Sequence, residues 1–553
     1  MKFFFYVFFC ALFVLKSNAQ TPYISATELK SYAIKGKLTP LKANYDVNYY
    51  HLDINLNLEK QLIAGSSQFS FTALEDLTRI QFDLSKNLKI GRITFENNNL
   101  SFSREGDAVF ISFPKVIKKG SKEKFTVIYE GAPKIARNPP WDGGMIFSKD
   151  NEGNHFVSIS TDDLGGSIWW PTKDLQNDKA DSTLVSITIP ANLKAISNGI
   201  LKSTELLSGG LKKYNWLVNE SINSHNTTFY IGSYANWSES YKSLQGKLNL
   251  DFWSLKEDSI TAKKHWDYEV PRMLTALEFW LGPFPWYKDG YKIVQSPFVG
   301  AEYQSANAYG NQFKKGYLGI DLSGTGIGLD WDYILVQNGA NEWFGNSITA
   351  KDVADNWIKD GFSTYAEVLF AEFTQGKEAG NTYLYGLRPS IKNIEPIIGR
   401  YDANQVGSKD RYAKGANIIH MIRELMVDDE KFRQLLHGLN HTYKHTSVTS
   451  KEIENYIANK SGLDLTKFFN QYLRNARLPV FEYEFINQVL NYRWVTDVKD
   501  FNLPIAFTFN GKDYQHLKPS NEWQSMSIDA NTDINQFKLN PNYYVIPKKV
   551  VKK

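Results

Sequence analysis

Cysteine is nearly absent from this sequence. Its 553 residues include only Cys10, which lies in the apolar run at the N-terminus. A single thiol excludes an internal disulfide and a cysteine-rich metal site. Because we expect the segment around Cys10 to be removed, the mature protein also has no cysteine nucleophile. Its chemistry must come from other side chains.

The chain also lacks a strong excess of either charge. It has 63 Lys and Arg residues against 59 Asp and Glu, a net charge of +4, and no basic cluster. We therefore expect neither nucleic acid nor an anionic membrane as a partner. No G-x-S-x-G elbow is present, so a serine-type hydrolase has no support.

Long apolar runs are missing after residue 15. FFFYVFFCALFVL, thirteen residues, follows Met1 and Lys2, and Ala19 stands in the small-residue position before a cleavage site. This pattern is typical of a secretory signal peptide. The alternative, a membrane anchor, is too short to cross roughly 30 Å of hydrocarbon as a helix. We predict a signal peptide over residues 1–19, cleaved near Ala19, and an exported chain, periplasmic or secreted, without a membrane span.

The rest of the chain is an α+β pattern of three regions. Period-two alternation in HLDINLNLE, TRIQFDL, KFTVIYEG and STLVSITIP predicts an antiparallel β domain over residues 20–245. Helical spacing then predicts a mostly helical domain over 246–476. Its helices are expected from AKKHWDYEVPRMLTALEFWLG, ending at Gly282, and around 331–345, 352–373, 411–428, 430–445 and 450–475. Strand patterns return over 477–553 and predict a small C-terminal β domain.

The stretch ILVQNGANEWFGNSIT, residues 334–349, has the spacing of a zinc-peptidase helix without its residues. In H-E-x-x-H, two His residues four apart bind zinc from one helix face, and the Glu is the general base. Here Gln337 and Asn341 lie four apart, and Asn338 follows Gln337. Neutral amides are poor zinc ligands, and an amide cannot accept a proton from water near neutral pH.

Four segments give the sequence a resemblance to peptidase family M1, the zinc aminopeptidases related to aminopeptidase N and leukotriene hydrolase. WWPTKD (169–174) resembles W-x-P-x-x-D, and GAEYQ (300–304) resembles a G-x-M-E-N loop. QNGANEWFGN (337–346), followed by WIKDGFSTY (357–365), resembles H-E-x-x-H-x-W-F-G-N and W-x-x-E-G-F-x-x-Y. RYAKG (411–415) resembles Y-x-K-G. The resemblance covers nearly the whole mature chain and implies a β saddle, a thermolysin-like domain and a small β domain.

The resemblance assigns roles residue by residue. It places the zinc His positions at Gln337 and Asn341, the general-base Glu at Asn338 and the third zinc ligand, a Glu, at Asp360. All four residues are changed while the spacing is kept. Asp360 is also one methylene shorter than Glu, so it should stop short of the metal position.

The resemblance also implies a peptide-binding cleft. Glu302 matches the Glu that binds the free α-amino group of a peptide, and Tyr412 matches the Tyr that stabilises the oxyanion. Backbone at Gly300 and Ala301 is expected to pair with an extended peptide. The neighbours depart from the family pattern, because Ala301 replaces the usual Met and Tyr303 the usual Asn or His.

We therefore predict an inactive relative without a zinc cofactor, in which Asn338 and Tyr412 are vestigial. Its expected partners are peptide or protein N-termini bound at Glu302. Two alternatives stay open: an active zinc aminopeptidase with a non-standard ligand set, and a scaffold protein in which Glu302 and Tyr412 only pack the fold. The sequence also leaves open a non-zinc ion at Asp360 and the oligomeric state.

Other candidate residues have simpler interpretations. His437, His441 and His445 have i, i+4, i+8 spacing and are expected on one helix face, exposed or partly packed rather than binding metal. His420 is expected in the core. Glu342, beside the motif, is expected to be a supporting or surface group.

Overall fold

The computed structural model describes residues 37–161 and 164–550. The predicted signal peptide lies outside these residues. Within the described ranges, no helix has both the length and the apolar character needed to span a bilayer.

The N-terminal region is a β domain built on an eight-stranded sheet. In spatial order its strands are Ile200–Leu207, Leu211–Val218, Ser182–Pro190, Tyr45–Asn57, Leu62–Ala73, Lys122–Gly131, Leu88–Phe95 and Asn98–Asn99. The alternating pattern of the first strand is realised, since Leu52, Ile54 and Leu56 are buried while Asn55 and Asn57 are exposed. Most neighbours are antiparallel, but Tyr45–Asn57 pairs in parallel with Ser182–Pro190.

Smaller sheets complete the β-rich half of the molecule. One has Leu77–Asp83, Ala108–Ile117 and Phe102–Glu105; another has Lys194–Ser197, Phe229–Gly232, His155–Ser160 and Gly144–Lys149; a third pairs Lys179–Ala180 with Ile222–Asn223. A five-stranded sheet leads into the helical region, in the order Tyr234–Ser243, Gly246–Leu255, Tyr291–Gln295, Asn307–Tyr309 and Gly300–Ala301. The boundary predicted at residue 245, between the β domain and the helical domain, falls in the turn between the strands Tyr234–Ser243 and Gly246–Leu255.

The central region is mostly helical, as predicted. Its helices are Ser259–Leu281, Tyr333–Asn341, Trp357–Gln375, Lys377–Leu387, Ala413–Met426, Asp429–Thr442, Ser450–Ser461 and Thr466–Arg474, and a short helix, Pro40–Ala43, precedes the first strand. The helical stretch expected around 450–475 consists of two helices, because Gly462 in the left-handed conformation ends the first of them. Lys377–Leu387 was not predicted, since Gly376 and Gly380 obscure its pattern.

The histidine prediction was wrong in one respect. The helix carrying His437 and His441 ends at Thr442, and His445 has a positive φ of 60°. His445 stacks flat on Trp286 with ring centroids 4.0 Å apart, so the three imidazoles do not share a helix face. His420 lies in the core, as expected, with its Nδ1 3.1 Å from the hydroxyl of Tyr365.

The C-terminal region is a small β domain, as predicted. It contains a four-stranded sheet of Gln524–Ser527, Val489–Val495, Val480–Ile486 and Ile546–Lys549, and a three-stranded sheet of Gln515–Leu517, Ile505–Thr508 and Lys538–Leu539. Its buried residues join those of the helical domain in one continuous core, which includes Trp357, Phe469 and Trp494. The N-terminal domain has a separate core that extends to Phe298, Tyr303 and Ala308. The two cores thus meet beside the helix Tyr333–Asn341, which carries the altered zinc-peptidase motif and is called the motif helix below. A two-stranded ladder, Thr349–Ala350 with Ser447–Val448, fixes the segment after it.

Candidate functional site

A cavity of about 810 Å³ lies between the N-terminal β domain and the helical domain. Both domains contribute side chains to it. The lining residues that bear on function are His225, Gly300, Ala301, Glu302, Tyr303, Gln337, Asn338, Lys351, Asp352, Lys359, Arg411 and Tyr412. The substrate-binding residues predicted from the sequence (Gly300, Ala301, Glu302 and Tyr412) are therefore brought together in one cleft.

The motif helix, Tyr333–Asn341, is fixed at its start by Asp332. The carboxylate of Asp332 caps the helix by accepting hydrogen bonds from the backbone N–H groups of Ile334 and Leu335. It also accepts a hydrogen bond from the hydroxyl of Tyr309, at 2.7 Å, and lies 2.8 Å from Nε2 of His265. This buried network holds the helix beside the cavity.

The two amides at the predicted zinc-His positions have different surroundings. Gln337 lines the cavity. Asn341 lies one turn further along, is fully buried and does not line the cavity. Neither its Oδ1 nor its Nδ2 has a hydrogen-bond partner among the residues that the structure describes. The i, i+4 spacing therefore does not point both amides into the cleft.

Asn338 lines the cleft at the predicted general-base position. Its Nδ2 donates a hydrogen bond to the carbonyl oxygen of Ala308, at 3.4 Å. The side chain thus links the motif helix to the neighbouring strand, and its amide carries no basic lone pair.

Asp360, at the predicted third-ligand position, is held by an arginine. Its side chain is 1% exposed, and its Oδ2 accepts a charged hydrogen bond from Nε of Arg411. Arg411 also donates from Nη1 to the carbonyl oxygen of Gly407, at 3.2 Å. The other oxygen, Oδ1, is 3.8 Å from Nζ of Lys359. Sequence reasoning missed both cations, although Arg411 directly precedes Tyr412 and Lys359 directly precedes Asp360.

Metal-binding side chains do not gather elsewhere in the described ranges. No group of three or more His, Cys, Asp or Glu residues there is arranged to hold a metal ion. Two of the three His residues singled out from the sequence face different carbonyl oxygens: His437 that of Phe279 at 2.9 Å, and His445 that of Pro285 at 3.0 Å.

Glu302 faces the cavity and forms an ion pair with Lys359, whose Nζ donates to Oε1 of Glu302. Burial by itself would raise the pKa of Glu302. The positive charge and the hydrogen bond of Lys359 outweigh it, and the pKa lies below its usual value. Glu302 is therefore an ionised carboxylate at neutral pH.

Gly300 and Ala301 form the edge strand of the five-stranded sheet. They pair with Tyr309 and Ala308 on one side. Gly300 has φ 154°, and a Cβ there would lie 2.6 Å from Cγ2 of Ile334. Only glycine therefore lets this strand lie directly against the motif helix.

Tyr412 lines the same cleft as Glu302. Burial first, and then the charge of Asp360, raise the pKa of its hydroxyl above the usual tyrosine value. The guanidinium of Arg411 lies 4.9 Å from the centre of its ring. The hydroxyl therefore stays protonated near neutral pH and can donate a hydrogen bond.

Tyr303 and Glu342 tie the site to the scaffold. The hydroxyl of Tyr303 accepts from the backbone N–H of Thr161, at 3.0 Å, and donates to the carbonyl oxygen of Ile159, at 3.3 Å. Of the two positions expected for Glu342, supporting or surface, the structure shows the supporting one, because its side chain is fully buried. Burial raises the pKa of Glu342 to about 7.

Glu342 is a hydrogen-bond acceptor for three groups. Oε1 accepts from the backbone N–H of Ser305, at 3.1 Å, and from Nδ2 of Asn307, at 2.8 Å. Oε2 accepts from Nδ2 of Asn346, at 3.1 Å. Glu342 thus supports the loop that carries Glu302 and does not line the cavity.

His225 is a cavity residue that sequence reasoning missed. It comes from the N-terminal domain, and no motif in its surroundings marks it. Burial first, and then the charge of Lys359, lower its pKa to about 4. The imidazole is therefore neutral near pH 7 and adds no positive charge to the cleft.

Two family models match the chain. The Peptidase M1 N-terminal domain matches residues 46–224, and the Peptidase family M1 domain matches residues 334–472. Probable aminopeptidase 1 from Sulfurisphaera tokodaii is 23% identical over 228 residues, 38% of this chain and 28% of that protein. Tricorn protease-interacting factor F2 from Thermoplasma volcanium is 22% identical over 356 residues, 61% of this chain and 43% of that protein. The match thus spans less than half the length of these relatives.

Solved structures share the fold. A mutant M1 zinc metallopeptidase from Deinococcus radiodurans, bound to a Tyr-Ser-Ala substrate, matches with a TM-score of 0.65 and 19% identity. The match covers 79% of this chain and 95% of that one. The M1 zinc metallopeptidase from the same organism gives a TM-score of 0.65 at 20% identity, over the same shares. The three-region architecture described above is thus that of these proteins.

Proposed function

Because the chain belongs to peptidase family M1, we propose that it is an exported pseudopeptidase, which binds peptide or protein N-termini without cleaving them. The chemistry of the motif positions carries this proposal. Gln337 and Asn341 offer amides, and the carboxylate of Asp360 is paired with Arg411. Zinc sites use at least three imidazole, thiolate or carboxylate ligands. These side chains therefore do not fit the zinc ion that the family implies.

The general base is lost as well. Asn338 cannot take a proton from water, and its Nδ2 is engaged with the carbonyl oxygen of Ala308. Glu342 is the nearest carboxylate in the sequence, but it does not line the cavity, and its oxygens accept hydrogen bonds from Ser305, Asn307 and Asn346. A peptide carbonyl in the cleft would thus meet no activated water.

The remaining groups suit the end of a peptide. The ionised carboxylate of Glu302 provides a charged partner for an α-ammonium group. The edge strand at Gly300 and Ala301 can pair with extended peptide backbone. The protonated hydroxyl of Tyr412 can donate to a peptide carbonyl. In the absence of nucleophilic attack, that hydrogen bond contributes to binding and not to the stabilisation of an oxyanion.

Export is part of the proposal. The apolar run before Lys16 and the small residue at position 19 support secretion by a cleaved signal peptide. N-terminal sequencing of the exported protein tests it, with a mature start close to Gln20 as the expected result. A start at Met1 in the cell pellet would contradict it.

Peptide binding and peptide cleavage are tested together. The probe is the tripeptide Tyr-Ser-Ala with a dye at its C-terminus, in free and N-acetylated forms, measured by fluorescence anisotropy in buffer with zinc. We expect the free form to bind at least about tenfold more tightly than the acetylated one, since a hydrogen bond to a charged group is lost in the latter. Mass spectrometry is expected to detect no released tyrosine.

Variants distinguish recognition of N-termini from peptide cleavage and from a scaffold role. Glu302→Gln should remove the preference for the free N-terminus, whereas Asp352→Asn, the matched control in the same cavity, should keep it. Release of tyrosine that requires zinc would favour an active aminopeptidase with other ligands. Equal binding of both peptide forms, or none, would reject recognition of the N-terminus and leave the scaffold function.

A further inference from the structure

Lys359 already supplies Glu302 with an ammonium group. Its Nζ donates a hydrogen bond to Oε1 of Glu302 and is 3.8 Å from Oδ1 of Asp360. The ε-ammonium of lysine and the α-ammonium of a peptide are the same chemical group, with three N–H donors and one positive charge. An incoming N-terminus and Lys359 therefore compete for the same carboxylate.

The backbone near the motif helix makes room for this lysine. Gly345 has φ 110°, and a Cβ at that position would lie 2.7 Å from Cγ and 2.8 Å from Cδ of Lys359. The aliphatic part of Lys359 thus passes directly over Gly345 on its way to Glu302. Any other residue at 345 would both strain the backbone and displace the lysine.

The pair is also placed where a ligand can reach it. The side chains of Lys359 and Glu302 are 24% and 23% exposed, and both line the 810 Å³ cavity. Because both side chains are partly exposed to the cavity, an incoming ammonium group can reach Glu302 and exchange with that of Lys359. Asp360 next to it can accept the displaced ammonium, because its Oδ1 has no hydrogen-bond partner among the described residues.

We propose that Lys359 is a resident competitor that occupies the amine-recognition position at Glu302, so that a peptide N-terminus binds only when Lys359 moves away. This inference rests on the proposed function and adds the residue that limits its affinity. Molecules in which Glu302 is paired with Lys359 cannot bind a free N-terminus, so the apparent affinity falls in proportion to the fraction in which this pair is open. It leaves N-acetylated peptides unaffected, because they bring no ammonium.

The test uses the full chain and the same dye-labelled Tyr-Ser-Ala peptides. Lys359→Met keeps an aliphatic side chain over Gly345 and removes the ammonium. We expect this variant to bind the free peptide about fivefold to tenfold more tightly than the wild type. Binding of the acetylated peptide should not change. Glu302→Gln in the Lys359→Met background should abolish the gain.

Two controls isolate the competition. Lys359→Arg keeps a cation beside Glu302 and should bind like the wild type. Lys351→Met removes a different lysine of the same cavity, which is paired with Glu452 at 3.1 Å, and should also bind like the wild type. A gain in Lys351→Met equal to that in Lys359→Met would mean that net charge, and not competition, sets the affinity.

The outcomes distinguish the inference from the proposed function. Equal binding of free peptide by the wild type and by folded Lys359→Met would overturn the inference and leave recognition of N-termini standing. Tighter binding of the free peptide by Lys359→Met than by the wild type would support both. Binding by neither would overturn both. Thermal unfolding of each variant shows that it is folded, and Lys359→Gln provides a second neutral replacement.

Discussion

The ion pair between Asp360 and Arg411 gives the sharpest prediction about the altered site. In a zinc peptidase the carboxylate at this position binds the metal, whereas here the carboxylate of Asp360 forms an ion pair with Arg411. Asp360 is 1% exposed and Arg411 10% exposed. Removing one partner of a buried pair leaves an uncompensated charge, at a cost of about 3–5 kcal/mol. Asp360→Asn keeps a hydrogen-bond acceptor for Nε of Arg411, so we expect a loss of about 3 kcal/mol.

The assay is urea unfolding followed by tryptophan fluorescence, in parallel with a chelator and with zinc. Glu96→Gln, which breaks the solvent-exposed pair with Lys115, is the control and should leave the free energy of unfolding nearly unchanged. The double variant Asp360→Leu with Arg411→Met should recover most of the stability, because it leaves no buried charge. A loss in Asp360→Asn that occurs only with zinc, or no loss beyond the control, would refute the reasoning.

Three further predictions concern residues around the motif. Asn341→Leu should raise the free energy of unfolding by about 1–2 kcal/mol, since it removes a buried amide with two unpaired atoms; a loss of stability in chemical unfolding would contradict this. The pKa of Glu342 is raised from 4.5 to about 7 in the folded protein, so the protonated carboxyl stabilises the fold fully below pH 4.5. This contribution is lost as the pH rises through about 7. Between pH 4 and pH 8 the free energy of unfolding of the wild type should therefore fall by about 3 kcal/mol relative to that of Glu342→Gln. The same pH dependence in both proteins would contradict this prediction. Gly345→Ala should lower stability by at least about 1 kcal/mol because of its positive φ and the contact with Lys359; an unchanged melting temperature would contradict the geometry.

Much of the fold could be predicted from the sequence because its signals are local. Alternation over residues 51–59 gives the first long strand, and the spacing over Ser259–Leu281, ended by Gly282, gives the first long helix. Boundaries were predicted less well where a glycine ends a helix, as at Gly462. The left-handed turn at His445 has no local signal, so its departure from the helix could not be predicted.

The site could be predicted only in part. The resemblance to the M1 motifs singled out Gln337, Asn338 and Asp360, which lie on the two neighbouring helices Tyr333–Asn341 and Trp357–Gln375. The partners of those residues depend on contacts between distant parts of the chain. The pairing of Asp360 with Arg411, 51 residues away, and of Glu302 with Lys359, 57 residues away, has no sequence signal.

The central claim is that the motif positions no longer bind zinc. The most direct measurement is the metal content of the purified mature chain after incubation with zinc and dialysis. We predict that the bound zinc is close to zero, and that it does not change in Gln337→Ala or Asp360→Ala. One equivalent of zinc per chain, lost in either variant, would contradict the account.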